Sequence, residues 1–163
     1  MYSVSFTGYR PEKMPFPNEE HPLCADLKAR LREVIEKCIK DGADCFFSGM
    51  ARGTDMWCAE LVLELKKTYP NIKLTAIIPC RTQTNGWTDA EKQRYDKIIK
   101  ECAAVVCVSE NYTKNCMMKR NRALVDCCDL LIAVFDGQKG GTANTISYAQ
   151  SKSRKIITVP PLV

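Results

Sequence analysis

The sequence predicts an α/β fold: a Rossmann-like, three-layer α/β/α domain built around a mostly parallel central sheet. Short apolar runs alternate with helical segments along the whole chain, and the apolar runs are nearly continuous. Strands of that kind are covered on both faces, as in a parallel sheet between two layers of helices. No linker, repeat or low-complexity tract divides the 163 residues, so we expect a single domain over 1–163.

Six strands and five helices are expected in strict alternation. The strands are predicted at 2–6, 44–49, 72–79, 103–109, 130–136 and 155–160. The helices between them are predicted at 23–42, 54–69, 88–102, 115–129 and 142–153, where apolar residues recur at helical spacing. Gly42 is expected to end the first helix, Thr54 or Asp55 to lie near the N-cap of the second, and Thr88 to cap the third.

Composition and charge narrow the class of protein. The net charge of +5 suits a partner that carries phosphates but does not require one. No segment approaches the roughly 18 consecutive apolar residues of a membrane span. The N-terminal residues have neither the basic region nor the long apolar core of a signal peptide. We therefore expect a cytoplasmic protein without a membrane partner.

Cysteine is abundant, with ten residues, whereas histidine occurs once. No pair has the Cys-x-x-Cys spacing of a metal site, so no metal is expected. Several cysteines fall on apolar faces, where a free thiol packs as a small hydrophobic side chain. Most of them are therefore expected to be reduced core residues.

Glycine, threonine and arginine gather where three of the strands end. The segments are TGYRP at 7–11, SGMARGTD at 48–55 and DGQKGGTANT at 136–145. In parallel α/β sheets, ligands bind beyond the carboxyl ends of the strands. A glycine turn also leaves backbone N–H groups bare at a helix N-terminus, where anions bind. One such turn is ordinary chain reversal; three at one sheet edge, two of them with an arginine, indicate a nucleotide or polyanion site.

Arg52 and Arg10 are the side chains that best suit phosphate at this edge. A guanidinium donates two parallel hydrogen bonds to a phosphate, although either arginine could instead be solvated at a strand-to-helix turn. The chain has no GxxxxGK[ST] loop and no GxGxxG after the first strand. An ordinary P-loop NTPase and an NAD-dependent dehydrogenase are therefore not favoured, and no resident cofactor is expected.

The segment MKRNRALVD at 118–126 adds a basic helix start. Lys119, Arg120 and Arg122 lie close together there, and Asn121 offers an amide that pairs with a base, a ribose or the backbone. The alternative is a solvated basic face of the helix.

These segments, in this order over nearly the whole chain, resemble the SLOG superfamily, which unites the DNA-processing protein DprA (Smf) with the LOG proteins. The most similar branch is that of the YpsA-like SLOG proteins. The resemblance implies a Rossmann-like domain that binds nucleotides or nucleotide-derived ligands at its glycine-rich edge. Its implied pocket contains Gly8, Arg10, Ser48, Gly49, Arg52, Gly53, Asp55, Gly140, Gly141 and Thr142, with Arg120 and Asn121 from an RN element similar to that of DprA.

Three functions remain open at this point. The first is binding of a nucleotide-type small molecule, in which this protein acts as a sensor. The second is LOG-like phosphoribohydrolysis, but Ser147 or Thr145 stands where the LOG signature has glutamate, so an acid or base would have to be Asp55, Asp136 or Glu110. The third is DprA-like binding of single-stranded DNA. A homodimer is expected only because such dimers are common.

Overall fold

The computed structural model describes residues 1–163, which form six strands and five helices in the predicted alternation. The strands are β1 (Ser3–Gly8), β2 (Cys45–Ser48), β3 (Lys73–Cys80), β4 (Ala104–Ser109), β5 (Leu130–Val134) and β6 (Lys155–Val159). The helices are α1 (Pro22–Lys40), α2 (Thr54–Lys66), α3 (Asp89–Glu101), α4 (Cys116–Asp126) and α5 (Gly141–Ser151). A short 3₁₀ turn, Pro11–Lys13, lies between β1 and α1, outside the predicted strands and helices.

The strands form one sheet in the order β4-β3-β2-β1-β5-β6. Every neighbouring pair is parallel, so the sheet is entirely rather than mostly parallel, and the predicted fold class is confirmed. From β1 the chain moves outward to β4, and it then returns to place β5 on the other side of β1. The order therefore reverses between β1 and β5, which is where an open α/β sheet forms a ligand crevice.

Helices cover both faces of the sheet. The first three helices pack together on one face, and their apolar side chains join those of the strands in a core of 30 residues. α4 and α5 pack together on the other face over a smaller cluster of six residues. β5 separates the two, because Ile132 belongs to the large core and its neighbours Leu131 and Ala133 to the small one. Its continuous apolar sequence reflects this burial on both faces.

Helix boundaries follow local capping chemistry. Gly42, with φ of +108°, directly follows the last turn of α1, as predicted. Thr88 caps α3 and forms a reciprocal capping box with Glu91.

The predicted start of α2 is confirmed, but no side chain caps this helix. Gly53 occupies the cap position with φ of +86°, and Thr54 and Asp55 are the first two residues inside the helix. The reason is a close approach to the loop after β1, since a Cβ on Gly53 would lie 2.7 Å from the carbonyl oxygen of Tyr9. Thr54 donates both its backbone N–H (3.3 Å) and its hydroxyl (3.0 Å) to that same oxygen.

β4 departs from the prediction that every strand is covered on both faces. Val105 and Val106 are 44% and 50% exposed. β4 is the edge strand of the sheet, and α4 packs mainly over its neighbour β3.

The expectation of a homodimer stays a prediction. None of the five helices combines the length and the apolar character that crossing a membrane requires.

All ten cysteine thiols are free. Burial raises the pKa of Cys102 and of Cys127 to about 11 in each case. These thiols are therefore protonated at neutral pH, which suits a packing role better than a nucleophilic one.

Candidate functional site

A pocket of about 410 Å³ opens where the order of the sheet reverses. Its walls come from the end of β1, the turn between β2 and α2, one face of α4 and the start of α5. This size is within the range of ligand cavities. We call it the switch-point pocket. Seven residues predicted from the sequence line it: Gly8, Arg10, Asp55, Arg120, Asn121, Gly141 and Thr142.

Arg120 forms the buried floor of the switch-point pocket. Its side chain is only 3% exposed. The guanidinium donates to the Gly49 carbonyl oxygen, to Gln83 Oε1 at 3.3 Å, and through Nε to Asn121 Oδ1 at 2.8 Å. A Cβ on Gly49 would overlap this guanidinium, so the glycine makes room for the arginine. Burial lowers the pKa of Arg120, and the charge of Asp55 opposes that shift.

Asp55 provides the buried countercharge. Burial raises the pKa of its carboxyl, while Arg120 and a hydrogen bond from the Ala51 N–H (3.3 Å) act in the opposite direction. The two buried groups thus partly neutralise each other, and together they add little net charge to the pocket.

The raised pKa of Asp55 makes stability depend on pH. The folded protein holds this proton more tightly than the unfolded chain, whose aspartate has the ordinary value of 3.8. The contribution of the protonated group is fully present below that pH and is lost as pH rises through the folded-state pKa. Between about pH 4 and about pH 7, we expect the free energy of unfolding of Asp55→Asn, relative to wild type, to shift in favour of the variant. Urea titrations at both pH values measure this shift, and a pH-independent difference would contradict it.

Arg10 is a basic side chain at the edge of the pocket that is available to a ligand. It is exposed and forms no ion pair, and its guanidinium makes one weak side-chain hydrogen bond, to Met117 Sδ at 3.8 Å. Lys13, which the sequence analysis did not select, also lines the pocket and donates from Nζ to the Lys139 carbonyl oxygen at 2.6 Å. Two basic side chains from the segment after β1 therefore border the cavity.

The start of α5 presents bare backbone donors to the pocket. Gly140 is the cap residue, with φ of +139°, and no side chain caps this helix. The N–H groups of Gly141, Thr142 and Ala143 find no acceptor within the protein. Such donors, with the positive end of the helix dipole, favour an anion.

The other predicted residues lie behind the pocket or outside it. Ser48 donates to the Asp55 carbonyl oxygen at 2.8 Å and accepts from the Met50 N–H at 3.2 Å, so it shapes the turn before α2. Gly49 and Gly53 likewise allow the approaches described above, and Gly140 leaves room for the Lys13 ammonium group.

Arg52 is directed away from the switch-point pocket. Its guanidinium pairs with Glu12 at 2.9 Å and Glu91 at 3.7 Å and lies 5.8 Å from the centre of the Trp87 ring. The two arginines that sequence alone treats as equivalent therefore differ, because one is satisfied by carboxylates and the other is not.

The candidate acids and bases have different surroundings. Asp136 accepts a hydrogen bond from the Tyr9 hydroxyl at 2.6 Å, and Glu110 pairs with Arg81 at 2.9 Å on the surface. Only Asp55 lines the pocket. At the positions of the LOG glutamate, the Thr145 hydroxyl donates to the Gly141 carbonyl oxygen at 2.8 Å and Ser147 is exposed. No carboxylate takes the place of that glutamate on α5.

Fold and pocket define a Rossmann-like α/β domain with a basic, glycine-edged crevice at its switch point. The model of the YspA SLOG family matches residues 4–158, and the chain belongs to this family. Two relatives, each named UPF0398 protein, come from Bacillus thuringiensis (strain Al Hakam) and Bacillus cereus (strain AH187). Each is 27% identical over 158 residues, which are 96% of this chain and 86% of the relative.

Two solved structures of DNA processing protein A share the fold. That of Helicobacter pylori, described for its mode of binding single-stranded DNA, matches with a TM-score of 0.68 and 22% identity over 98% of this chain. That of Streptococcus pneumoniae matches with a TM-score of 0.70 and 19% identity, also over 98% of this chain. This chain spans 65% and 50% of the length of those two proteins, so it corresponds to a part of each.

Proposed function

We propose that the switch-point pocket binds the phosphate of a nucleotide-type small molecule. One observation carries the proposal: Arg10, a cation without an ion-pair partner, borders the same cavity as the uncapped start of α5. Backbone N–H groups at a helix start bind phosphate by hydrogen bonds and by the helix dipole. A guanidinium on the same phosphate adds charge-assisted hydrogen bonds. The protein then acts as a binding or sensing domain.

The other charges of the pocket support an anionic ligand. Arg120 and Asp55 offset each other, and Glu12, which also lines the cavity, is engaged by Arg52. Arg10 and Lys13 therefore leave the opening positive. Asp55 is an acceptor that suits a sugar hydroxyl better than a phosphate oxygen, because an ionised carboxylate repels phosphate.

Calorimetry with AMP, GMP, CMP and UMP tests the proposal. We expect at least one of them to bind, and Arg10→Ala to weaken that binding by roughly 10- to 100-fold, since a hydrogen bond to a charged group contributes about 1.5–3 kcal/mol. Arg81→Ala is the matched control, because it removes the same charge from an exposed guanidinium whose partner, Glu110, does not line the pocket. For the control we expect a change below about threefold.

Equal losses in Arg10→Ala and Arg81→Ala would point to a general charge effect and would contradict the assignment of Arg10 to the phosphate. If wild type bound none of the four nucleotides, the proposal of a nucleotide site would be contradicted.

Binding of single-stranded DNA is the second candidate, favoured by the fold shared with the Helicobacter pylori protein. A net charge of +5 suits a polyphosphate strand. Binding of this kind depends on released counterions, so its affinity for an oligothymidylate should fall steeply as salt rises. A fluorescence anisotropy titration at two salt concentrations decides this, and no binding at low salt would remove the candidate.

A further inference from the structure

A groove between α4 and α5 lies directly beside the switch-point pocket. It encloses about 540 Å³ and shares Met117, Asn121 and Gly141 with the pocket. Because these residues form a common border, a ligand with its phosphate at the start of α5 can continue along α5 into the groove. We call this second cavity the α4–α5 groove.

The walls of the α4–α5 groove suit a flat, weakly polar group. Met118 is 47% exposed there, and a thioether is a soft, polarizable surface for an aromatic ring. Tyr148 lies on the α5 side and is held in place by its hydroxyl, which donates to Asp126 at 2.8 Å. Arg122 lies 5.1 Å from the centre of the Tyr148 ring. Arg122 is the single charged residue of the groove lining, so the groove carries fewer charges than the pocket beside it.

Two amide side chains supply hydrogen bonds along the groove. Asn121 Oδ1 accepts from Arg120 Nε, which fixes the orientation of the amide and leaves its NH₂ group free to donate toward a ligand. Asn144 is exposed on the α5 wall and directly follows the three residues with bare N–H groups. Asparagine amides, which carry both a donor and an acceptor, pair well with the edges of bases.

We infer that the α4–α5 groove holds the base of a nucleotide whose phosphate and sugar lie in the switch-point pocket. This inference rests on the proposed function and specifies which part of the ligand each cavity takes. The pocket then supplies affinity for phosphate, and the groove distinguishes a nucleotide from a simple sugar phosphate.

A comparison of ligands tests this division on the wild-type protein. Ribose 5-phosphate carries the phosphate and sugar of a nucleoside monophosphate without the base. We expect the tightest of AMP, GMP, CMP and UMP to bind at least roughly fivefold more tightly than ribose 5-phosphate, because contact with a base contributes about 1–3 kcal/mol. Calorimetry under one buffer condition gives both affinities.

A variant that fills the groove tests where the base lies. Ser147→Trp places a large ring in the groove from an exposed position of α5. We expect it to weaken the nucleotide about tenfold and to leave ribose 5-phosphate unchanged. Gln150→Trp is the control, since Gln150 is an exposed residue of the same helix that does not line the groove. It should leave both affinities unchanged.

Each outcome separates the inference from the proposed function. If ribose 5-phosphate bound as tightly as every nucleotide, or if Ser147→Trp left nucleotide binding intact, the phosphate site would stand and the base site would be rejected. If no ligand bound, both would be rejected. If an oligothymidylate bound more tightly than the free nucleotides and Ser147→Trp weakened it too, the groove would stand as a base site that serves a DNA strand.

Discussion

Replacing Arg120 with alanine is expected to lower the free energy of unfolding by about 3–5 kcal/mol, since it removes a buried charge near Asp55 together with its buried hydrogen bonds. The variant would leave the Asp55 carboxyl buried without its countercharge and the Gly49 carbonyl oxygen without its donor. Urea denaturation measures the loss. Arg122→Ala is the matched control two residues along α4, because its side chain is exposed, and we expect a cost within about 1 kcal/mol.

A second substitution identifies the source of the loss. Asp55→Asn in the Arg120→Ala background removes the uncompensated charge, so we expect it to return part of the lost stability at neutral pH. Equal costs for Arg120→Ala and Arg122→Ala would show that the buried guanidinium is not needed for folding.

Replacing Gly53 with alanine is expected to cost at least about 3 kcal/mol, since backbone strain and steric overlap act together. Its φ is +86°, and the added Cβ would lie 2.7 Å from the Tyr9 carbonyl oxygen. Gly86→Ala separates the two contributions, because Gly86 has a similar φ of +83° but open space around it. We expect only the strain there, about 1–2 kcal/mol.

Thermal and urea denaturation of both glycine variants measure the difference. A cost for Gly53→Ala no larger than that for Gly86→Ala would mean that the loop after β1 moves away easily. The close contact between this loop and the start of α2 would then not be a fixed part of the pocket.

The sequence indicates which residues meet at the candidate pocket because strand ends are easily recognised. In a parallel sheet, segments that follow different strands converge at one edge whatever their separation along the chain. Arg10, Asp55 and Gly141 are thereby brought to one pocket from three separate segments. The glycines were also informative, although most of them allow close packing rather than contact the cavity.

The role of each arginine was harder to predict. Arg10 and Arg52 both follow glycine turns, but Arg52 meets carboxylates from the 3₁₀ turn and from α3, contacts that no local pattern reveals. The burial of Arg120, in contrast, has a signal in the sequence. It lies four residues from Cys116 and four from Leu124, and both are buried on the same face of α4.

Two features of the structure, one set by sheet order and one by loop packing, were not predicted from the sequence. The apolar sequence of β4 resembles that of a central strand, yet β4 lies at the edge because the chain returns to the other side of β1. Lys13 borders the pocket only because the segment after β1 folds back toward the loop before α5, where its Nζ contacts the Lys139 carbonyl oxygen. Both features depend on tertiary structure and have no local pattern.

The most direct test of phosphate binding in the switch-point pocket is a crystal structure of the protein grown with the nucleoside monophosphate that binds most tightly. We expect phosphate density within about 3 Å of the backbone nitrogens of Gly141 and Thr142, with the Arg10 guanidinium on the same phosphate. Density for the phosphate elsewhere on the protein, or in the pocket without contact to Arg10 or the start of α5, would contradict the proposed site.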